Sequence, residues 1–159
     1  LFGHSRGGSI VMLKTAEDRR VGKVISWASP SNFLERLPKK EKLVKWKELG
    51  VAYIYNGRTK QNMPMYFQFY ENCIKFAKRL NIQNAVSKMS IPHLLVHGNE
   101  DPTVLLSEAV NIKSWNPNID LHVIDGANHV LGGFHPYDLE KFPKDLQEAI
   151  DVTIKFLKG

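Results

Sequence analysis

Residues 3–7 read Gly3-His4-Ser5-Arg6-Gly7, and the fold of the chain is predicted from this run. It is a Gly-x-Ser-x-Gly run, in which a glycine on each side of the serine lets a strand turn sharply into a helix. The serine then occupies the apex of the turn, with its hydroxyl raised above the edge of the sheet. Such a run arises by chance in roughly one chain of this size in twenty, so the rest of the sequence has to support it.

Short apolar runs alternate with helical patterns along the chain. Runs of the kind that is buried in parallel sheets cover residues 21–27, 91–97 and 119–124. Helical patterns cover residues 7–17, 105–114 and 143–157. Strands that alternate with helices predict a parallel α/β sheet with flanking helices.

The composition is that of an ordinary globular protein of 159 residues, long enough for one domain with a hydrophobic core. No apolar run approaches the roughly 18–20 residues that a membrane-spanning helix needs, so we expect no membrane span. The single Cys73 excludes an internal disulfide and is expected to be a small core residue. Its presence alone favours a reducing compartment such as the cytoplasm.

One connection is too long for a plain crossover between parallel strands. About sixty residues separate the strand that ends near Trp27 from the strand that begins near Ile91. The sequence therefore predicts one partial domain in three parts. Residues 1–29 hold the sharp turn, its helix and the next strand, and residues 30–90 form a lid-like insert of helices and a hairpin. Residues 91–159 hold two loops and a terminal helix.

The insert begins with a lysine-rich segment over residues 39–47, which supplies much of the chain's net charge of +6. Leu43, Trp46 and Leu49 recur three apart, which predicts an amphipathic helix with a solvated outer face. A nucleic-acid-binding patch is the alternative. Because no RNP-like, helix-turn-helix or zinc-finger pattern accompanies the lysines, we expect no nucleic-acid partner.

A hairpin and an aromatic helix are predicted for the rest of the insert. Asn56-Gly57, between β-favouring residues of the run 51–59, predicts a type I′ turn. An aromatic helix is predicted to follow over residues 65–80, with Tyr66 near its start. Most aromatic side chains of the insert are expected to pack it against the sheet, but Tyr53, Tyr55 and Tyr66 are candidates for lining a substrate pocket.

A serine hydroxyl becomes an effective nucleophile only when a histidine takes its proton and an acid orients that histidine. The run His-Gly-Asn-Glu-Asp-Pro over residues 97–102 directly follows a predicted strand and supplies Asp101. Glu100 is the alternative acid, and Asp101 is favoured because such loops show the arrangement Gly-x-x-Asp-x-x-Val. The loop after the strand at 21–27 offers only side chains without negative charge, at Ser29, Ser31 and Asn32.

The candidate histidine follows the last predicted strand. The run Asp-Gly-Ala-Asn-His ends at His129, and its small residues suit a tight loop. His135 is the competing candidate. His93 and His97 lie four apart on one strand, about 13 Å from each other, so they cannot share a metal ion, and we expect no metal site.

These residues resemble the α/β-hydrolase superfamily, and within it the dienelactone-hydrolase-like and prolyl-oligopeptidase-like serine hydrolases. The resemblance covers the chain from Gly3 to the terminal helix and rests on Gly-His-Ser-Arg-Gly-Gly, His-Gly-Asn-Glu-Asp-Pro and Gly-Ala-Asn-His. It implies Ser5 as nucleophile, His129 as general base and acid, and Asp101 as the acid that orients it. It also implies the backbone N–H of Arg6 as an oxyanion-hole donor. The implied activity is cleavage of an ester, thioester or amide of a small molecule through an acyl-enzyme, without a cofactor.

The sequence departs from this family in one respect. It lacks the early strands of the sheet and the loop that supplies the second oxyanion donor, so it resembles the C-terminal half of a hydrolase domain. We expect the 159 residues alone to have no useful hydrolase activity and to be poorly soluble. The alternatives are a catalytically inactive binding module and haloperoxidase or lyase chemistry on the same three residues, because a fold does not fix a reaction.

Overall fold

The computed structural model describes residues 1–57 and 59–159, which divide into two compact units. One unit comprises residues 1–31 and 81–159, and the other comprises residues 32–80. In chain order the elements are β1 (Phe2–His4), α1 (Arg6–Glu17), β2 (Val24–Trp27), a 3₁₀ turn (Leu34–Arg36), α2 (Glu41–Leu49), β3 (Val51–Asn56), β4 (Gln61–Tyr66), α3 (Gln68–Lys75), α4 (Ile82–Val86), β5 (His93–Gly98), α5 (Leu106–Trp115), β6 (Asp120–Ile124) and α6 (Lys144–Lys158).

The first unit is built on a four-stranded sheet with the order β1-β2-β5-β6, and all neighbouring strands are parallel. Ile25 and Trp27 of β2 pair with Leu94 and Val96 of β5, and these four side chains pack with Ala149 of α6 in a buried core. Parallel strands end at a common edge, so the loops after β1, β5 and β6 meet there. The predicted parallel α/β sheet is confirmed.

Two strands begin later than the apolar runs suggest. Val21 donates its N–H to the carbonyl of Asp18 in a turn, and β2 begins only at Val24. Pro92 has no N–H to give to a ladder, so β5 begins after it, at His93. The apolar runs thus identify the strands correctly but extend into the turns that precede them.

In the second unit, the predicted lysine-rich helix is α2. Fewer of its apolar side chains are buried than their three-residue spacing predicts. Trp46 is buried and donates its indole N–H to the carbonyl of Met65 (2.8 Å). Leu49, three residues later, is 64% exposed. It is the last residue of α2, and the left-handed Gly50 (φ 69°) turns the chain away into β3 directly after it.

The hairpin β3–β4 differs from the predicted one in its turn. Asn56 pairs with Gln61, which leaves four residues between the strands, so the two-residue turn predicted from the Asn-Gly pair is wrong. The register is set at the opposite end, where the N–H of Phe67 donates to the carbonyl of Gly50 (2.8 Å). Arg58, which the predicted hairpin included, lies outside the described residues.

The aromatic helix is shorter than predicted at both ends: α3 covers Gln68–Lys75 and not residues 65–80. Tyr66 is the last residue of β4, paired with Val51, and therefore does not belong to α3, which begins at Gln68. Phe67 and Tyr70 instead form an aromatic cluster with Trp46, with ring centroids 5.2–6.2 Å apart. Aromatic packing within the unit is thus carried by residues on α2 and at the start of α3.

Candidate active site

Ser5 forms the sharp turn between β1 and α1. Its backbone adopts φ 55° and ψ −127°, a positive φ that is uncommon for a residue other than glycine. The turn is anchored to the sheet, because the N–H of Ser5 donates to the carbonyl of Trp27 (2.8 Å). The serine is therefore held in a strained conformation between a strand and a helix, half-buried at the edge of the sheet.

Glycine is required next to this turn because the backbone of α1 approaches β1 closely. A Cβ at Gly3 would lie 2.4 Å from the carbonyl oxygen of Gly7, and a Cβ at Gly8 would lie 1.8 Å from Ser29 Oγ. A Cβ at Gly7 would meet nothing within 4 Å. The first glycine of the Gly-x-Ser-x-Gly run and the residue after its second glycine are thus the sterically constrained positions.

Asp101 lies in the loop after β5, with a fully buried side chain. One oxygen, Oδ1, accepts the backbone N–H groups of Thr103 (2.8 Å) and Val104 (2.9 Å). The other, Oδ2, lies 2.7 Å from Nδ1 of His129. Glu100, the alternative acid, is exposed. The sequence favoured Asp101, and the structure brings this carboxylate to the histidine.

His129 lies in the loop after β6 and bridges the acid and the serine. Its Nε2 is 3.0 Å from Ser5 Oγ, and its side chain is 14% exposed. Because a carboxylate only accepts hydrogen bonds, Nδ1 carries the proton and donates it to Asp101. Nε2 is then free of a proton and can accept the hydroxyl hydrogen of Ser5. His135, the competing candidate, is exposed in the segment that leads to α6.

His4 makes a contact with this site that the sequence did not indicate. Its Nε2 lies 2.8 Å from the carbonyl oxygen of His129, so the ring donates an N–H to the backbone of the bridging histidine. The two imidazole rings are 5.0 Å apart between centroids. The residue before the serine therefore holds the backbone of His129 next to Ser5.

Asn99 joins the loop of the acid to the loop of the histidine. Its Nδ2 donates to Asp125 Oδ1 (2.7 Å), and its Oδ1 accepts the N–H of Gly126 (2.7 Å). The N–H of Glu100 adds a backbone hydrogen bond to Ala127 (3.1 Å). The sequence signal for this role of Asn99 is its position as the first residue after β5. An asparagine side chain can both donate and accept hydrogen bonds, so at this position it can join neighbouring loops.

The remaining site candidates belong to α1 and to the second unit. Arg6 is the first residue of α1, and N–H groups in the first turn of a helix point out of its N-terminal end. Tyr53, Tyr55 and Tyr66 lie on the hairpin β3–β4 and are 66%, 63% and 64% exposed. Alternate residues of a strand face one side, and Tyr66 pairs directly with Val51, so the three tyrosines share one face of the hairpin.

Two buried histidines, His93 and His97, lie on β5. Burial lowers the pKa of His93 to about 4 and also lowers the pKa of His97, so both rings are neutral near pH 7.

Within the described residues, no group of three His, Cys, Asp or Glu side chains could hold a metal ion. In the same part of the chain, no helix is both long and apolar enough to span a bilayer.

Comparison with known proteins places this geometry in a known architecture. No family model matches the chain. The α/β hydrolase GrgF from Penicillium sp. sh18 superimposes with a TM-score of 0.62 at 18% identity, over 99% of this chain and 62% of that one. The chain has the α/β-hydrolase fold. An esterase domain from Rhodothermus marinus (TM-score 0.58, 21% identity, 84% and 53% covered) and Est1E from Butyrivibrio proteoclasticus with ferulic acid bound (0.64, 20%, 99% and 59%) share this fold.

Among curated proteins, this chain is 38% identical over 68 residues to the non-heme chloroperoxidase CPO-A1 of Kitasatospora aureofaciens. That match covers 42% of this chain and 24% of the relative. The chain spans between about half and two thirds of the length of the three solved structures. The likeness to these structures defines the fold, and the resemblance to the dienelactone-hydrolase-like group stays a prediction.

Proposed function

We propose that the protein is a serine hydrolase, which cleaves an ester, thioester or amide through an acyl-enzyme on Ser5. The observation that carries the proposal is the continuous line of hydrogen bonds from Ser5 Oγ through His129 to the buried Asp101. A serine at a strained strand-to-helix turn, with a histidine and an acid aligned behind it, is the arrangement that activates a hydroxyl for acyl transfer.

The geometry supports the following sequence of steps. Ser5 Oγ attacks the substrate carbonyl carbon while its proton moves to Nε2 of His129, and Asp101 stabilises the imidazolium that forms. The bond to the leaving group then breaks as His129 returns the proton to the departing atom, which leaves the acyl group esterified to Ser5. A water molecule, deprotonated by His129, attacks this ester, and the acid is released as Ser5 recovers its proton. These steps use no cofactor.

The N–H of Arg6 is the proposed oxyanion donor within this chain. It stands at the N-terminal end of α1, directly after the nucleophile, where the helix dipole also favours negative charge. A donor so placed faces the oxygen on which charge develops when Ser5 attacks, and it stabilises that charge more than the neutral carbonyl.

For the substrate, we propose an ester with an aromatic acyl group, and Tyr53, Tyr55 and Tyr66 stay candidate residues for binding it. Three exposed tyrosines on one face offer a surface for an aromatic ring, and one protein of the same fold has been solved with ferulic acid bound. Substituting Tyr53 or Tyr55 with Leu should raise KM for methyl ferulate more than for p-nitrophenyl acetate. Ile54→Ala, on the opposite face of the same strand, is the matched control and should leave this ratio unchanged.

A second candidate is acyl transfer to hydrogen peroxide, favoured by the local identity to a chloroperoxidase. Attack of hydrogen peroxide on the acyl ester of Ser5 would release a peracid and restore the hydroxyl, and the peracid would oxidise a halide. The test is peracid formation from a short-chain ester and hydrogen peroxide. If hydrolysis proceeds and no peracid accumulates, this second candidate is wrong.

A catalytically inactive binding module is the remaining alternative. The strain at Ser5 and the burial of the Asp101 carboxylate both cost stability, and a module without catalysis gains nothing from them. The test is hydrolysis of short-chain p-nitrophenyl esters by the full-length protein. We expect turnover by the wild type and loss of turnover in Ser5→Ala, with an unchanged circular dichroism spectrum. Equal turnover by the two would contradict the proposed function.

A further inference from the structure

His97 is a buried histidine next to Asp101, and the steps above do not use it. Its side chain is fully buried in β5, and its Nε2 lies 2.8 Å from the carbonyl oxygen of Val104. A carbonyl only accepts hydrogen bonds, so Nε2 carries the ring proton and donates it. The other nitrogen, Nδ1, is buried without a hydrogen-bond partner in the described part of the chain.

The hydrogen bond from His97 closes the turn that positions Asp101. Val104 accepts the ring N–H with its carbonyl and donates its own N–H to Asp101 Oδ1. The N–H of Thr103 donates to the same oxygen. The same Nε2 also lies 3.6 Å from Asp101 Oδ2, the oxygen that accepts from His129. One rigid side chain on the central strand thus touches both the turn and the carboxylate.

We propose that His97 is a positioning residue for the catalytic acid: its ring N–H fixes the Asp101–Val104 turn and so holds Asp101 Oδ2 against His129 Nδ1. The proposal rests on the proposed function, because it assigns His97 a part in the same reaction. The positioning role follows from two contacts of His97 Nε2: it lies next to Asp101 Oδ2, and it donates to Val104, whose N–H binds Asp101 Oδ1. Without the ring N–H, the turn keeps its bonds to Oδ1 but loses its tie to β5, and the carboxylate can shift relative to the histidine.

A neutral histidine suits this position better than a cation would. The charged or titratable groups that face His97 are Asp101, His129 and Glu108, and burial of the ring lowers its pKa despite the two carboxylates. A cation beside Asp101 would compete with the His129 imidazolium for the charge of the same carboxylate. The neutral ring supplies an N–H without that competition.

The same strand offers a matched control at His93. This residue lies on the same face of β5, four residues earlier, and is also buried. Its Nε2 lies 2.7 Å from Ser26 Oγ, and its Nδ1 is likewise buried without a partner in the described residues. At about 3.3 Å per residue, the two histidines are about 13 Å apart along the strand. Substitutions at His93 therefore perturb the core without touching the turn of Asp101.

The experiment compares His97→Leu, His97→Gln, His97→Asn and His93→Leu in the full-length protein, with p-nitrophenyl acetate as substrate. A displacement of about an ångström can lower kcat by about a hundredfold, so we expect a fall of about 10- to 100-fold in His97→Leu, with KM unchanged. Glutamine places an amide N–H near the position of Nε2 and asparagine is too short, so His97→Gln should recover most of kcat and His97→Asn should not. His93→Leu should keep a kcat close to that of the wild type.

Two results would overturn the proposal: wild-type kcat in both His97→Leu and His97→Asn, or an equal loss in His93→Leu. If His97→Leu fails to fold, the comparison is made between His97→Gln and His97→Asn.

If the wild type itself hydrolyses no ester, the proposed function fails, and His97 is tested by the low-field proton resonance of the hydrogen bond between His129 and Asp101. That resonance should persist in His93→Leu and be lost in His97→Asn; its persistence in both contradicts the positioning role.

Discussion

The strained backbone of Ser5 predicts that a glycine at this position makes the protein more stable than an alanine does. Both Ser5→Gly and Ser5→Ala remove the hydroxyl and its hydrogen bond to His129, so the two variants differ only by one Cβ. At φ 55° and ψ −127° a Cβ is strained, whereas glycine adopts such a conformation readily. The comparison therefore isolates the cost of holding the serine at the apex of the turn.

The expected difference is the strain minus the entropy that glycine adds to the unfolded chain. A non-glycine residue in a sparsely populated backbone region costs about 1–3 kcal/mol. Glycine in place of alanine destabilises by about 0.4–1 kcal/mol through the unfolded state. Ser5→Gly should therefore exceed Ser5→Ala in free energy of unfolding by about 1 kcal/mol, or about 2–4 °C in Tm.

The assay is urea unfolding of the two full-length variants, followed by circular dichroism. Ala16→Gly is the control, because Ala16 is exposed in the same helix, where glycine should destabilise by about 0.5–1 kcal/mol. If Ser5→Gly were less stable than Ser5→Ala by the amount seen for Ala16→Gly, the backbone of Ser5 would carry no strain.

Three further outcomes follow from the loops and the sheet. Asp101→Asn should lower kcat by about 10⁴-fold, because the amide favours the wrong tautomer of His129. Glu100→Gln, at an exposed position, should change kcat little. Pre-steady-state and steady-state ester hydrolysis measure kcat in the two variants. Gly98→Ala should lower both the stability and the activity, since its Cβ would lie 2.1 Å from a carbonyl oxygen of the histidine loop. Gly22→Ala, with open space around it, should lower neither. Thermal unfolding and the ester assay, run on both variants, measure the two effects. Burial lowers the pKa of His93 from 6.5 to about 4, so the unfolded chain binds more protons than the folded protein in this range. The free energy of unfolding should therefore fall as the pH drops from 6.5 to 4, and the fall should be shallower in His93→Gln; equal slopes would contradict the shift.

Most of the sheet and the proximity of Ser5, Asp101 and His129 could be predicted because they rest on local signals. The run at residues 3–7 needs glycine for a close backbone approach, and that need is visible in the sequence. Asp101 and His129 follow apolar strands directly, and the edge of a parallel sheet brings such positions together. The order of these three segments along the chain was therefore enough to predict their meeting.

The predictions that were wrong or missing depend on contacts between distant segments. The hairpin turn was misplaced because Phe67 and Gly50 set its register from the opposite end. The partners of Asn99 and His4 are a backbone N–H donor 27 residues away and a backbone carbonyl acceptor 125 residues away, and no local pattern identifies these partners. His97 was assigned only a place on a strand, because its N–H acceptor is a backbone carbonyl without a sequence signature.

Covalent labelling shows whether Ser5 is an activated nucleophile. A fluorophosphonate forms a stable adduct with an activated serine hydroxyl and ignores an idle one. Treatment of the folded full-length protein, followed by intact mass measurement and peptide mapping, should give one adduct per chain, on the peptide that contains Ser5. The adduct should be absent from Ser5→Ala and from the heat-denatured wild type. An unlabelled wild type, or an adduct on another serine, would show that Ser5 is not the nucleophile.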